Sequence, residues 1–170
     1  HGVTTFSSNL TYQGESGALN EAYSDMLGAS VEFFAKPNTA NWKLGEEVRP
    51  SGIPLRYMDN PKRAGDPDTY QGENWAPTGI FDPDNGGVHT NSGVANFQYY
   101  LLAEGGSGTN DNGDSYTINA IGLDKAAQVW YRAQTIYFTQ STNYAAARNG
   151  TINATIDLYG SGSDEHIQMQ

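Results

Sequence analysis

Residues Glu15 to Phe34 read ESGALNEAYSDMLGASVEFF, and the placement of the acids in this run decides the fold. Read as a helix, positions 21, 25, 28 and 32 are separated by steps of four, three and four residues and share one stripe, which spells Glu, Asp, Gly, Glu. Leu19, Ala22, Tyr23, Met26 and Leu27 lie on both sides of that stripe, so its carboxylates stand where a globular helix normally buries apolar side chains. An uncompensated buried charge costs several kcal/mol, so an ion pair, a metal ion or a shifted pKa is required. No basic residue lies in this run, which favours a metal ion. The bare pattern of two acids four residues apart also fits a solvated helix face.

All seven prolines fall between Pro37 and Pro83. Residues 1 to about 35 and 89 to 170 can therefore be helical, whereas 36 to 88 carries Pro, Gly, Asp and Asn at turn spacing and cannot hold a long helix. Val94, Phe97 and Leu101 recur at helical spacing, as do Ala126, Val129 or Trp130 and Ala133, and later Tyr144, Ala147, Ile152, Ile156 and Tyr159. These periods predict helices over about 92–104, 123–138 and 143–159, with Asn91-Ser92 and Ser141-Thr142-Asn143 as N-caps and Gly160 as a C-terminal stop. The polar, Gly-rich stretch from Gly105 to Ser115 reads as a solvated connection. The expected fold is mainly α, a helical bundle with one long Pro/Gly-rich irregular segment, in a single domain of residues 1–170. Some fifty residues without regular structure need something to hold them. Glu32, Glu46 and Glu47, with the carboxamide of Asn41, are oxygen ligands that suit calcium, or else plain surface acids of an acidic protein.

The chain of 170 residues carries three Trp, eleven Tyr and six Phe, enough core formers to fold despite a mean hydropathy of -0.60. A net charge of -10 disfavours nucleic acid and anionic membrane as partners and favours cations. There are no cysteines, so no disulfide framework exists, and no run of 18 apolar residues is present. Neither a signal-like n-region nor an h-region opens the chain, and its last residues stop within a polar helical turn, so both ends read as processed or cut.

Three stretches carry a resemblance. Tyr12-Gln-Gly-Glu-Ser-Gly-Ala-Leu-Asn20-Glu21-Ala-Tyr-Ser-Asp25, Leu55-Arg56-Tyr-Met-Asp59 and Asp84-Asn-Gly-Gly-Val-His89-Thr-Asn-Ser-Gly93 closely resemble the thermolysin-like zinc metallopeptidases (neutral proteases, vibriolysin-type), in order over essentially the whole chain. In that family zinc is held by the two His of an H-E-x-x-H helix and by a Glu from the next helix, with the Glu of the motif as general base. The resemblance implies that His1 is the second of those His and Glu21 the third ligand. It also implies that the first His and the general base lie just before residue 1, so that the chain alone is expected to lack peptidase activity.

By the same resemblance Tyr12 and His89 donate to the developing oxyanion, and Asp84 orients and charges His89. Arg56 matches the arginine that binds a substrate carbonyl on the primed side. Leu44, Val48 and Leu55 match the lining of the apolar primed-side pocket, which selects a bulky hydrophobic residue. Asn20 and Asp25 match residues that orient the zinc histidines. Glu32 and Glu46 match shared calcium ligands and Asn41 stands where a ligand Asp is common, while Lys43 replaces an acid of the two-calcium members, which implies one calcium. The implied parent is a secreted, extracellular zinc endopeptidase that cuts peptide or protein substrates, its β-rich N-terminal half lying outside this chain. The alternative is a non-catalytic, calcium-stabilised helical module, or a fragment that pairs with its other half. His166 reads as a surface residue of a C-terminal helix.

Overall fold

Ala18, Leu19, Ala22, Tyr23, Met26 and Ala29 are all but inaccessible to solvent, and they line one face of the helix that the opening stretch predicts. In the computed structural model, which describes all of residues 1–170, that helix runs Gly14–Ala35 (α2) after a single turn at Gly2–Thr5 (α1). It packs along the helix Pro83–Glu104 (α3), and Gly17 sits at the crossing. A Cβ at Gly17 would lie 2.4 Å from Val88 Cγ1, so the absent side chain sets how closely the two helices approach. Helices Leu123–Arg132 (α4), Tyr144–Tyr159 (α5) and Asp164–Met169 (α6) complete the bundle. The core joins Leu19, Tyr23 and Met26 to Tyr99, Leu102, Val129, Trp130 and Phe138. The expected mainly α bundle is what forms, and none of its helices is long and apolar enough to cross a membrane.

Several boundaries differ from the periodic reading. Helix α3 is regular from Val88 onward, so Asn91 and Ser92 are buried in its interior and cap nothing. Asn91 instead clamps the irregular segment, accepting from the Ala76 N–H at 2.9 Å and donating to the Ala76 carbonyl at 3.0 Å. The helix expected over 123–138 is α for ten residues and then a π turn at Ala133–Tyr137. Asn143 caps α5 through the Ala146 N–H, and Gly160 ends it at φ 92, as predicted. The supposed connection at 105–115 is largely a hairpin: strands Gly106–Thr109 (β3) and Ser115–Ile118 (β4) pair antiparallel from Gly106↔Ile118 to Thr109↔Ser115. Asn110 closes the turn by accepting from the N–H groups of Asn112 and Asp114.

The segment 36–82 has only two paired residues in each of two strands, Lys43–Leu44 (β1) and Arg56–Tyr57 (β2), and one 3-10 turn at Pro61–Ala64. Protein side chains hold it in place. Met58 is fully buried in the core, and Tyr70 and Trp75 pack on Tyr144. The Lys62 ammonium sits among three carboxylates, 2.5 Å from Asp111, 3.3 Å from Asp68 and 3.5 Å from Glu73, which ties the segment to the hairpin. His166 is not a surface residue, for it is 8% exposed and its Nδ1 accepts from the Gly162 N–H, closing the turn before α6.

Candidate active site

Two backbone devices build the site at the start of α2. Asp84, Asn85, Gly86 and Gly87 take φ values of 58, 51, 77 and 73 in succession, one left-handed turn ahead of the regular part of α3. Asp, Asn and Gly tolerate that region best, which is why the chain spells DNGG there. The turn folds Asp84 back on His89: one carboxylate oxygen lies 2.5 Å from His89 Nδ1 and the other accepts the His89 N–H at 2.9 Å. The second device is α1, which presents His1. Its ring is held through Nδ1, which lies 2.9 Å from Asn20 Oδ1.

These elements converge on the buried carboxylate of Glu21. Tyr12 donates to Glu21 Oε1 at 2.5 Å, His1 Nε2 lies 3.3 Å from the same oxygen, and His89 Nε2 lies 3.6 Å from Oε2 and 3.1 Å from the Tyr12 hydroxyl. The Asn20 amide donates to the Leu10 carbonyl, which turns Oδ1 toward His1 Nδ1 at 2.9 Å. Since Oδ1 can only accept, Nδ1 of His1 carries the proton, and the lone pair of Nε2 faces the Glu21 carboxylate. Two electron-rich atoms so placed call for a proton or a cation between them, and an imidazole nitrogen beside a carboxylate oxygen suits zinc. The donors His1 and Glu21 fit that ion as a partial set: no group of three His, Cys, Asp or Glu side chains within the chain is arranged to hold a metal.

Asp25 follows Glu21 by one turn, and Arg56 forks onto it at 2.7 Å through both Nε and Nη2, while Asn96 donates to it at 2.8 Å. The charge of Asp25 is thus met by an arginine and an amide, not by the metal that the run suggested, because β2 delivers a cation from 31 residues downstream. Burial works against the Arg56 charge, yet the hydrogen bonds and the field of Asp25, with Glu21 behind it, raise its pKa further. Burial likewise pulls the Asp84 carboxyl up, but the His89 side chain and N–H outweigh it and hold the group below its ordinary range. Burial and the bond to Glu21 push the Tyr12 phenol up.

A cavity of about 490 Å³ opens beside Glu21, walled by Leu55, Arg56, Asp66, His89 and Thr90. Eight expected residues, His1, Tyr12, Asn20, Glu21, Asp25, Arg56, Asp84 and His89, are therefore brought together, and Leu55 joins them at the wall. Leu44 does not reach that wall: its strand pairing with Arg56 turns it onto the core. Nor does Val48, which points outward from the turn after Gly45 at 80% exposure. Glu32, Asn41 and Glu46 form no ligand shell. Asn41 folds onto the Lys43 N–H, and the charge of Glu32 and Glu46 falls on Lys36, whose ammonium is bonded to Glu47 at 2.7 Å. Asp66 and Thr90 were not anticipated. Burial drives Asp66 up to about 6 against the pull of Arg56, with Asp25 and Asp84 adding to the rise, and Gly65-Asp66-Pro67 reads locally as an ordinary turn.

A helical bundle that gathers two imidazoles, a tyrosine and a buried carboxylate beside an open cavity has the architecture of the helical domain of the metallopeptidases. Residues 8–170 match the family described as "Thermolysin metallopeptidase, alpha-helical domain", and the chain belongs to that family. It is 49% identical over 168 residues to bacillolysin from Bacillus cereus, covering 97% of this chain and 28% of that protein. Thermolysin from Alicyclobacillus acidocaldarius subsp. acidocaldarius is 43% identical over 168 residues, covering 97% of this chain and 29% of that protein. Among solved structures, the precursor of protealysin, a metalloproteinase from Serratia proteamaculans, superposes with a TM-score of 0.70 at 27% identity, over 99% of this chain and 52% of that one. The chain thus spans under a third of the length of these curated relatives.

Proposed function

We propose that the chain is the helical, C-terminal half of a secreted zinc endopeptidase that hydrolyses peptide bonds with a bulky apolar residue on the primed side. The observation that carries this reading is the meeting of His1, Tyr12 and His89 on the carboxylate of Glu21 at the mouth of a cavity. His1 Nε2 and Glu21 are the zinc ligands of this chain, and Asn20 fixes the ring through Nδ1. When bound, zinc lowers the pKa of a water molecule to about 7 and polarises the peptide carbonyl.

Every other step belongs to protein side chains. Tyr12 and His89 exchange their present contact, 3.1 Å apart, for hydrogen bonds to the oxygen that gains charge on the substrate carbonyl. Asp84, held below the ordinary carboxylate range, accepts from Nδ1 and so fixes the ring with Nε2 of His89 turned toward the substrate. Arg56, braced by Asp25, reaches the cavity and donates to a substrate carbonyl beside Leu55, which takes the apolar side chain. With two ligands from this chain, the third ligand and the carboxylate that accepts the water's proton come from the rest of the parent protein, which also supplies the facing wall. Calcium has a secondary place: Glu32, Glu46 and Asn41 are its ligands if the ion displaces Lys36 from that corner.

The test is metal content and peptidase rate of the full-length parent with Glu21→Gln. The variant is expected to lose stoichiometric zinc and more activity than the roughly 10- to 100-fold that changes around a metal's ligands cost. The chain of residues 1–170 alone is expected to leave casein uncut, and cleavage by the pure chain would refute the two-ligand reading.

A further inference from the structure

The cavity beside Glu21 holds one carboxylate to which no protein group is bonded. Tyr12 donates to Glu21, Arg56 forks onto Asp25 and His89 meets Asp84, whereas the Asp66 side chain makes no hydrogen bond or ion pair. It lines the cavity together with Leu55, Arg56 and Thr90 all the same. Its backbone is fixed. The Asp66 N–H donates to the Pro61 carbonyl at 3.2 Å and Pro67 is buried. Both residues rest on Gly93 of α3, where a Cβ would stand 2.5 Å from the Pro67 carbonyl and 3.1 Å from Asp66 Cβ. The carboxylate is therefore offered to the cavity without a large ordering cost on binding.

The same cavity is less apolar than a pocket for hydrophobic side chains alone. Leu55 is its one apolar wall residue, since Leu44 turns onto the core and Val48 points outward. Glu21 and Asp66 stand on the wall, and the fields of Asp25 and Asp84 reach Asp66 as well. Against these four acids is the single guanidinium of Arg56, which Asp25 already occupies. Burial and the neighbouring acids hold the Asp66 carboxyl up to about 6, so at neutral pH it is ionised. A cation brought into the cavity offsets both the burial and the repulsion. Lys and Arg join an apolar stem to a charged end, which are the two chemistries that Leu55 and Asp66 offer within about 490 Å³. A Glu in the same place meets repulsion.

We propose that Asp66 is a specificity-determining residue: beside bulky apolar residues, the primed-side pocket takes Lys or Arg, with the stem on Leu55 and the cationic end on the Asp66 carboxylate. The proposal rests on the peptidase reading above. It is tested in the full-length parent with Asp66→Asn and Asp66→Glu, on peptides that differ only in the residue just after the cut, which is Lys, Glu, Leu or Gly. The parent is expected to cleave the Lys peptide in preference to the Glu peptide. Asp66→Asn should reduce that preference in kcat/KM by about tenfold, as loss of a hydrogen bond to a charged group does, and Asp66→Glu should retain most of it. The Leu-over-Gly preference, which an apolar contact sets, should stay within about twofold in both variants. A parent that cleaves Lys no better than Glu overturns the proposal. So does an unchanged Lys-over-Glu preference in Asp66→Asn, and if all four peptides then fall together, Asp66 only supports the cavity wall. A parent without peptidase activity on any of the four defeats the underlying reading instead, and the two failures are distinct.

Discussion

At the scale of single residues the Asp25–Arg56 pair carries the most structural weight, since both side chains are largely buried and the fork is bidentate. Truncating one partner leaves the other charge stranded, so Arg56→Met should destabilise the chain by about 3–5 kcal/mol. In Arg56→Met/Asp25→Asn most of that loss should return, and a urea-unfolding double-mutant cycle measures both outcomes. Periodicity showed that Asp25 is buried but not what faces it, because a partner 31 residues away in an irregular segment leaves no trace in helical spacing. Asp66 was missed for a related reason: its surroundings are assembled from Arg56, Asp25 and Asp84, none of them its neighbours in sequence. Its carboxyl titrates at about 6 in the folded chain and near 3.9 when unfolded, so between those values only the native state keeps the proton. That group's contribution to stability is therefore greatest below about pH 4 and falls as pH rises through 6. Asp66→Asn should flatten this dependence in denaturant titrations between pH 4 and 7. It should raise stability at pH 7 by about 1 kcal/mol, a figure reduced from the full shift because the side chain is partly solvated.

Among the secondary elements, glycines inside helices mark where something approaches and where nothing yet does. A Cβ at Gly93 in α3 would lie 2.5 Å from the Pro67 carbonyl, and at Gly28 in α2 it would meet nothing within 4 Å. Alanine at the two sites should act in opposite directions. Gly93→Ala pushes the irregular segment off α3 and should cost about 1–3 kcal/mol. Gly28→Ala gains helix propensity without a clash and should stabilise the isolated chain by about 0.5–1 kcal/mol. Thermal melts of the two variants against the parent sequence check the signs. Sequence reading recovered α2, α4 and α5 and the Asn143 and Gly160 ends because those rest on local period and capping chemistry. It missed the β3–β4 hairpin because β3 holds Gly106, Ser107 and Gly108, weak strand formers that give the Gly-rich stretch no strand period. It set the start of α3 too late because Asn91 and Ser92 look like caps, while the true entry is the left-handed turn in DNGG.

For the whole molecule, the uncovered surface has a direction. Ser24, Gly28 and Val31 share one face of α2, with Phe34 one turn beyond Val31. The His1 amine sits on Ser24, so α1 covers the start of that face and leaves Gly28, Val31 and Phe34 open, with Phe34 91% exposed. Phe6, just past α1, is 92% exposed as well. A site that gathers the proposed metal donors His1 and Glu21 and a bare apolar face on the same helix suit a domain that meets the remainder of a larger protein, and the curated relatives are more than three times as long as this chain. Sequence could signal the missing surroundings only through family resemblance; the faces that need them become visible when exposure is resolved residue by residue. Without that remainder the same faces are free to meet each other. A net charge of -10 opposes such contact, and salt screens the repulsion while leaving apolar attraction intact. The chain alone should therefore associate reversibly at micromolar concentration in sedimentation velocity, more strongly at about 0.5 M salt than at about 0.05 M, where the screening length is several times greater. Val31→Ser/Phe34→Ser should restore the monomer at both salt concentrations. Association that weakens as salt is added would instead assign the contact to charge, and would remove the apolar face of α2 as its cause.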